Sequence, residues 1–159
     1  MRQNITEKVW YDPDVKSYIM LDVTDDITPL ESQYIEGREL LSKTEYHCSL
    51  VPAGKLSDDP DVVKQVIERV AGYLSETDVR FQGLADTYYF CEKGAEATLI
   101  APAIIAGIEG LTQVVRQLIP EYTPAFSHIT LLKSATSEYG IGINSELDRN
   151  AYCREVTLR

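Results

Sequence analysis

The two histidines of the chain each lie in a short segment of alternating residues, and this arrangement constrains the fold most. "HCSLVP" holds His47 and Ser49, and "HITLLK" holds His128 and Thr130. Such alternation predicts β-strands, in which residues i and i+2 face the same side of a sheet. We therefore expect each histidine to lie beside a hydroxyl on one face, while the apolar residues between them face a core.

Other segments have the periods of strands and helices. Further strands are predicted at 17–23, 79–85, 87–93, 97–102 and 152–159, with 79–85 and 87–93 pairing as neighbours. Helices are predicted over 29–41, where Thr28, Pro29 and Glu31 resemble a capping box, from Asp59 to Leu74, and over 104–118 before Pro120.

The predicted elements form a weak repeat. A strand, a helix and a histidine-bearing strand occur twice, and the two histidines are 81 residues apart. A chain of 159 residues is long enough for one domain with its own core. We therefore expect one domain of two similar lobes, each presenting one histidine.

The composition of the chain limits which binding partners are expected. The formal net charge is −10, so the surface as a whole repels long nucleic acid, whereas a basic pocket can still bind a small phosphate ester. No signal-peptide pattern and no uninterrupted apolar stretch of membrane-spanning length is present, so we expect no membrane association and a cytoplasmic location.

The three cysteines are odd in number and widely separated. Cys48, Cys91 and Cys153 form no C-x-x-C pair, which argues against a disulfide framework and against a cysteine-rich zinc site. We expect all three to be buried, reduced thiols.

An imidazole beside a hydroxyl, present twice, suits displacement at phosphorus. One neutral histidine accepts a proton from the nucleophile, and the other, protonated, donates one to the leaving oxygen. The hydroxyls would hold the phosphoryl oxygens as negative charge builds on them. This chemistry needs no metal or other cofactor. Metal binding by the two imidazoles and a carboxylate is an alternative, but it leaves the hydroxyls unexplained and lacks an H-E-x-x-H motif.

The paired H-x-[ST]-hydrophobic motifs resemble those of the 2H (two-histidine) phosphoesterase superfamily, which includes RNA 2′,3′-cyclic phosphodiesterases, also called 2′-5′ RNA ligases. Gly54 after the first motif and Lys133 after the second match residues that are frequent there. The first motif departs in having Ser for the commoner Thr, and it lacks the aromatic-leucine-glycine ending of the RNA-ligase branch.

The resemblance implies a single domain over 1–159 with a bilobed α+β fold. Two antiparallel sheets would face a central cleft in a pseudo-twofold arrangement, with the helices outside. It also implies that His47 and His128 are the catalytic residues and that Ser49 and Thr130 bind the substrate phosphate.

Three further residues are weaker candidates. Lys133 lies five positions after His128 and so faces away on a regular strand; a β-bulge would turn it toward the phosphate, and a solvated lysine is the alternative. Tyr88 and Tyr89 are candidates for base stacking, against a simple role in the core. The glycine-rich segment 138–144 is an ordinary turn or a loop over the cleft.

The sequence thus predicts a metal-independent phosphodiesterase for a small nucleotide or short oligonucleotide with a 2′,3′-cyclic phosphate, a 2′-5′ linkage or a cyclic backbone. The rival prediction is a nucleotide-binding or sensing module that uses the same cleft without turnover. A third alternative is an unrelated α+β scaffold in which the two histidines lie far apart. The sequence assigns neither the acid and base roles nor the oligomeric state.

Overall fold

A computed structural model describes residues 1–137 and 140–158 of the chain. Over these residues the fold is α+β, and every strand pairing is antiparallel. The strands are β1 (Gln3–Asn4), β2 (Val9–Tyr11), β3 (Tyr18–Asp22), β4 (Gln33–Ile35), β5 (Arg38–Ser42), β6 (His47–Pro52), β7 (Arg80–Leu84), β8 (Tyr88–Lys93), β9 (Glu96–Ala106), β10 (His128–Lys133) and β11 (Cys153–Val156). The helices are α1 (Pro60–Glu76), α2 (Ile108–Arg116) and α3 (Glu146–Tyr152).

The strands form one connected sheet. Its main path runs β1-β2-β3-β6-β10-β9-β8-β11, while β7 joins β9 and the β4–β5 hairpin joins β10 through β5. Since β9 pairs with β10 from His128 to Lys133, β6 and β5 must share the other edge of β10. The two histidine strands, β6 and β10, are therefore direct neighbours at the middle of the sheet.

The helix predicted from Asp59 is confirmed, because Asp59 caps α1 by accepting a hydrogen bond from the amide of Asp61. The helix predicted over 29–41 is wrong. That segment is the β4–β5 hairpin, which turns at Glu36 and Gly37, both with positive φ, as two-residue hairpin turns require. The two halves of the predicted repeat therefore differ, with a hairpin between β3 and β6 and a helix between β9 and β10.

The predicted strands at 79–85 and 87–93 are present, but they do not pair with each other. Both pair with β9, β7 along Ala103–Ala106 and β8 along Glu96–Ile100. Because β9 is eleven residues long, it also takes up the first residues of the helix predicted over 104–118. α2 begins only after Gly107, which has a φ of 87°.

Most buried apolar side chains form one cluster between the sheet and helices α1 and α2, including Leu50, Val70, Leu99, Leu111 and Ile129. A second, smaller cluster of Cys91, Ile100, Ile141 and Ile143 lies apart from it. Gly54 follows β6 at a close backbone contact, since a side-chain carbon there would overlap the carbonyl oxygen of Lys16. Among the helices of the described residues, none has the length and apolar character needed to cross a membrane.

The expectation of three reduced cysteines is wrong for two of them. Cys91 on β8 and Cys153 on β11 lie directly opposite each other and form a disulfide. Residues 62 positions apart meet because β8 and β11 are neighbours in the sheet, and sequence spacing does not reveal that pairing. Cys48 is a buried free thiol, as expected.

We predict that reducing this disulfide destabilises the fold. In the chain-entropy model, opening a loop of 62 residues lowers the free energy of unfolding by about 4 kcal/mol. Urea denaturation with and without a phosphine reductant measures the change. The Cys91→Ser/Cys153→Ser double variant serves as the control, since its midpoint should not respond to reductant. An equal midpoint for the parent protein with and without reductant would show that the crosslink has no effect.

Candidate functional site

The junction of β6 and β10 brings the two sequence motifs together. Cys48 lies opposite Ile129 in this antiparallel pair. Continuing that register places each histidine opposite the hydroxyl residue of the other strand, on the face away from the main core. The four side chains that share this face, called the site face below, are His47, Ser49, His128 and Thr130.

The flanking strands extend the site face on both sides. On β3, Asp22 lies opposite His47 and Met20 lies opposite Ser49. On β9, Pro102 and Ile100 lie opposite His128 and Thr130. The site therefore lies at the centre of a continuous surface, with a carboxylate on the β3 side and apolar side chains on the β9 side.

One of the four side chains has an unused hydrogen-bonding group. Ser49 Oγ is buried and has no hydrogen-bond partner among the described residues. An unsatisfied buried hydroxyl costs about 1–3 kcal/mol, so such a group usually has a structural or functional explanation. In the register, Ser49 lies two residues from His47 and opposite His128.

The imidazole of His128 is held in one tautomer. Its Nδ1 lies 2.8 Å from the carbonyl oxygen of Phe126. A carbonyl only accepts hydrogen bonds, so Nδ1 carries the proton and, in the neutral ring, Nε2 carries the lone pair. The Phe126 ring stacks on the imidazole at a centroid distance of 5.7 Å. Burial lowers the pKa of His128, more than the Phe126 hydrogen bond raises it.

The imidazole of His47 is also neutral at neutral pH. Burial, together with the positive charges of Lys43 and Arg2, lowers its pKa to about 4. Asp22 acts in the opposite direction but does not compensate. A positive charge on His128 lowers the same pKa slightly further. Burial thus disfavours a proton on either ring.

Lys43 belongs to this site, although the sequence analysis missed it. It directly follows Ser42, which the β5–β10 pairing places opposite Leu132. Burial and the charge of Lys133 lower the pKa of Lys43 to about 8. Its charge acts on both His47 and His128. No sequence pattern distinguishes this lysine. Its position depends on the β4–β5 hairpin, which the sequence wrongly predicted to be a helix over 29–41.

Lys133 reaches the site face through a bulge. The register of β10 against β9 shifts between Thr130 and Leu132, so that Lys133 lies opposite Thr98. Thr98 is two residues from Ile100 and shares its face, and Ile100 lies opposite Thr130. The bulge therefore reverses the orientation of a regular strand and turns Lys133 to the side of the histidines.

The two predicted stacking tyrosines lie on opposite faces of β8. Tyr89 pairs with Ile100 and so lies on the site face, whereas Tyr88 packs against the main core. A third aromatic residue, Phe126, was not predicted from the sequence; its ring stacks on His128, and its centroid lies 6.4 Å from that of Tyr89. Its position could have been predicted, because Phe126 is two residues before His128 and residues i and i+2 of an extended segment lie on the same side.

The glycine-rich segment also borders the site. A carbon at the Cβ position of Gly140 would lie 3.9 Å from Thr130 Oγ1, and Asn144 Nδ2 donates a hydrogen bond to the Tyr18 hydroxyl at 3.0 Å. Ile141 and Ile143 pack into the small second cluster. Residues 140–144 thus lie against the site face, while the first two residues of the predicted segment, 138 and 139, fall outside the described residues.

A small recess beside His47 is lined also by Arg2, Trp10, Asp22 and Tyr46. A larger recess lies at the end of α1, next to Glu76 and Asp78, and contains none of the site residues. Within residues 1–137 and 140–158, no three or more His, Cys, Asp or Glu side chains are grouped as a metal site.

No protein family, no curated protein and no solved structure matches this chain.

The lowered pKa of His47 predicts a pH dependence of stability. Between about pH 6.5 and pH 4 the unfolded chain binds a proton at residue 47 and the folded protein does not, so unfolding becomes easier as the pH falls. This residue should contribute up to about 3 kcal/mol to the change.

We test this with urea denaturation of the parent protein and the His47→Gln variant at pH 7, 5.5 and 4. The variant should lose less stability on acidification, because glutamine does not titrate. Parallel stability curves for the two proteins would contradict the assigned pKa.

Proposed function

We propose that this protein is a phosphodiesterase of the two-histidine type that acts on a small nucleotide or short oligonucleotide. The main support is the Cys48–Ile129 register, because it sets two imidazoles and two hydroxyls together on one face. The unpartnered Ser49 Oγ among them adds a donor for a phosphoryl oxygen. Candidate substrates carry a 2′,3′-cyclic phosphate, a 2′-5′ linkage or a cyclic oligonucleotide backbone.

His128 is the proposed general base. Its Nδ1 proton is committed to the Phe126 carbonyl, so the free Nε2 lone pair is the position that can accept a proton. Its lowered pKa keeps it neutral at neutral pH. As water attacks phosphorus, one O–H bond of the water breaks and that proton passes to Nε2, while the new P–O bond forms.

His47 is the proposed general acid. It donates a proton to the departing ribose oxygen as the old P–O bond breaks. Its pKa of about 4 leaves little of the acid form at neutral pH. A phosphate anion between the two rings would favour the protonated form and add to the effect of Asp22, so substrate binding should bring a proton with it.

The hydroxyls and lysines are proposed to hold the phosphoryl group. Ser49 and Thr130 would donate hydrogen bonds to its non-bridging oxygens, where charge grows during displacement. Lys43 and Lys133 would add positive charge next to the same group. The two lysines give an acidic protein a locally basic site, which suits a compact phosphate ester rather than a long polyanion.

We also propose a family and an internal symmetry for the fold. The motifs support membership of the 2H phosphoesterase superfamily. On that interpretation, the sheet consists of two halves, β3–β6 and β9–β10, related by a pseudo-twofold axis between β6 and β10. Each half would contribute one histidine and one hydroxyl to a central cleft.

The second candidate is a nucleotide-binding module without turnover. The observation in its favour is that both histidines have lowered pKa values, so neither imidazole is a ready proton donor at neutral pH. Against it stands the chemistry of the site, since binding alone does not require two facing imidazoles.

The decisive experiment is hydrolysis of a panel containing 2′,3′-cyclic nucleotides, 2′-5′ dinucleotides and cyclic dinucleotides, with EDTA present. We expect turnover of at least one compound. His47→Gln and His128→Gln should each lower kcat/KM by about 100- to 10,000-fold, the usual contribution of a positioned acid or base. Ser137→Ala is the control, because Ser137 Oγ is also buried without a hydrogen-bond partner but is not in either motif.

Activity that disappears with EDTA and returns with one added metal would contradict the mechanism. Saturable binding without turnover, retained in both histidine variants, would favour the binding module.

The pH profile of kcat/KM gives a further prediction. Because both histidines have lowered pKa values in the free protein, the bell-shaped profile should have its maximum below pH 6.5. Lys43→Met removes a charge that lowers both values, so the maximum should move to higher pH as kcat/KM falls. Lys64→Met, at an exposed position of α1, is the control and should leave the profile unchanged. An unmoved maximum in Lys43→Met would exclude the assigned electrostatic role.

A further inference from the structure

Each histidine has an arginine–aromatic group beside it. On the β3 side, the Trp10 ring meets the His47 ring edge-on at a centroid distance of 5.8 Å. The Arg2 guanidinium lies over the same indole, 3.9 Å from its centroid. Trp10 is opposite Met20, which is opposite Ser49, so Trp10 also lies on the site face.

On the β9 side, Tyr89 and Phe126 form the corresponding group next to His128. The Arg149 guanidinium lies 5.2 Å from the Tyr89 centroid and 5.8 Å from that of Phe126. Phe126 in turn stacks on His128. Although it comes from α3 rather than from a strand, this arginine covers aromatic rings as Arg2 does at the opposite end.

The two groups are placed symmetrically about the histidines. Trp10 is on β2, two strands out from β6, and Tyr89 is on β8, two strands out from β10. Neighbouring strands are about 4.8 Å apart, so the backbones of β2 and β8 lie about 10 Å from those of β6 and β10. The aromatic side chains reach back from there, and Trp10 and Phe126 contact the histidine rings directly. A substrate centred on the two imidazoles would therefore meet one group at each end.

The chemistry of both groups suits a nucleobase. Aromatic and guanidinium planes stack on any base, and such stacking is largely independent of sequence. Both arginines are already paired with a carboxylate, Arg2 with Glu45 at 3.3 Å and Arg149 with Glu146 at 2.9 Å. Their charge is thus partly neutralised, and their remaining contribution is a flat, polarisable surface.

We propose that the site takes a phosphodiester that joins two nucleosides, with one base at the Trp10 group and the other at the Tyr89 group. This inference rests on the proposed function, since it assumes that the scissile phosphate lies between His47 and His128. It narrows the substrate class from any small nucleotide to a dinucleotide unit, whether linear or part of a cyclic oligonucleotide. A mononucleoside cyclic phosphate would use only one of the two groups.

The test uses adenylyl-(2′-5′)-adenosine and two analogues in which one or the other adenine is replaced by hydrogen. Removing either base should lower kcat/KM by roughly 5- to 150-fold, which is the fold-change that corresponds to the loss of one stacked base. Trp10→Leu should lower kcat/KM for the intact dinucleotide by a similar factor. It should not lower kcat/KM further for the analogue that lacks the base bound at Trp10. Tyr89→Leu should show the same pattern with the other analogue.

Tyr34→Leu is the matched control, because Tyr34 is an exposed aromatic residue on β4 that belongs to neither arginine–aromatic group, and it should leave all three rates unchanged. Far-ultraviolet circular dichroism and thermal melting verify that each variant is folded. This design separates base binding from an indirect effect on His47, since an indirect effect would lower the rate for all three compounds equally.

The outcomes distinguish the two proposals. Hydrolysis that is indifferent to both bases, or hydrolysis of adenosine 2′,3′-cyclic phosphate but not of the dinucleotide, would overturn the two-base site and leave the phosphodiesterase standing. If no compound is hydrolysed, calorimetric titration of the same three compounds decides. Affinity that falls with each missing base would support the two-base site without catalysis, and absence of binding would overturn it.

Discussion

The antiparallel contact between β6 and β10 is the interaction on which the proposed site depends. One register, with Cys48 opposite Ile129, fixes the positions of both histidines and both hydroxyls relative to each other. A slip by one residue would move one motif to the core face and leave its hydroxyl without a role. Buried apolar residues on the other face oppose such a slip, because Cys48, Leu50, Ile129 and Leu131 all pack into the main core. The packing that holds the sheet together thus also sets the geometry of the site.

The site combines several features that are unfavourable to folding. Two imidazoles are buried in their neutral form, a hydroxyl has no partner among the described residues, and Lys43 has a pKa near 8 next to Lys133. Each would be relieved by one anion placed among these groups, because a phosphate accepts hydrogen bonds from the hydroxyl and balances the positive charges. The sheet around them supplies the stability that they lack, and the Cys91–Cys153 crosslink secures the outer strand pair next to Tyr89.

The sequence predicted the motifs better than their surroundings. Alternation in "HCSL" and "HITL" is local information, and it correctly identified strands with the histidine and hydroxyl on one face. The register between β6 and β10 depends on contacts across 81 residues, which no local pattern encodes. The same limit explains why the disulfide was missed and why β7 was wrongly paired with β8. It also explains why Trp10 and Arg149 were not predicted, since only the tertiary fold brings them to the site. The helix predicted over 29–41 failed because the turn at Glu36 and Gly37 outweighed a capping pattern, and Lys43 was missed with it.

The measurement that tests the central claim most directly is an NMR titration of the imidazole nitrogens with a phosphorothioate analogue of a 2′-5′ dinucleotide. The account predicts that His47 and His128 respond together, at one stoichiometric equivalent and with one Kd. It also predicts that His128 keeps its proton on Nδ1 and that the pKa of His47 rises when the anion binds. A response from only one ring, or two responses with different Kd values, would show that the two histidines do not share a phosphoryl group.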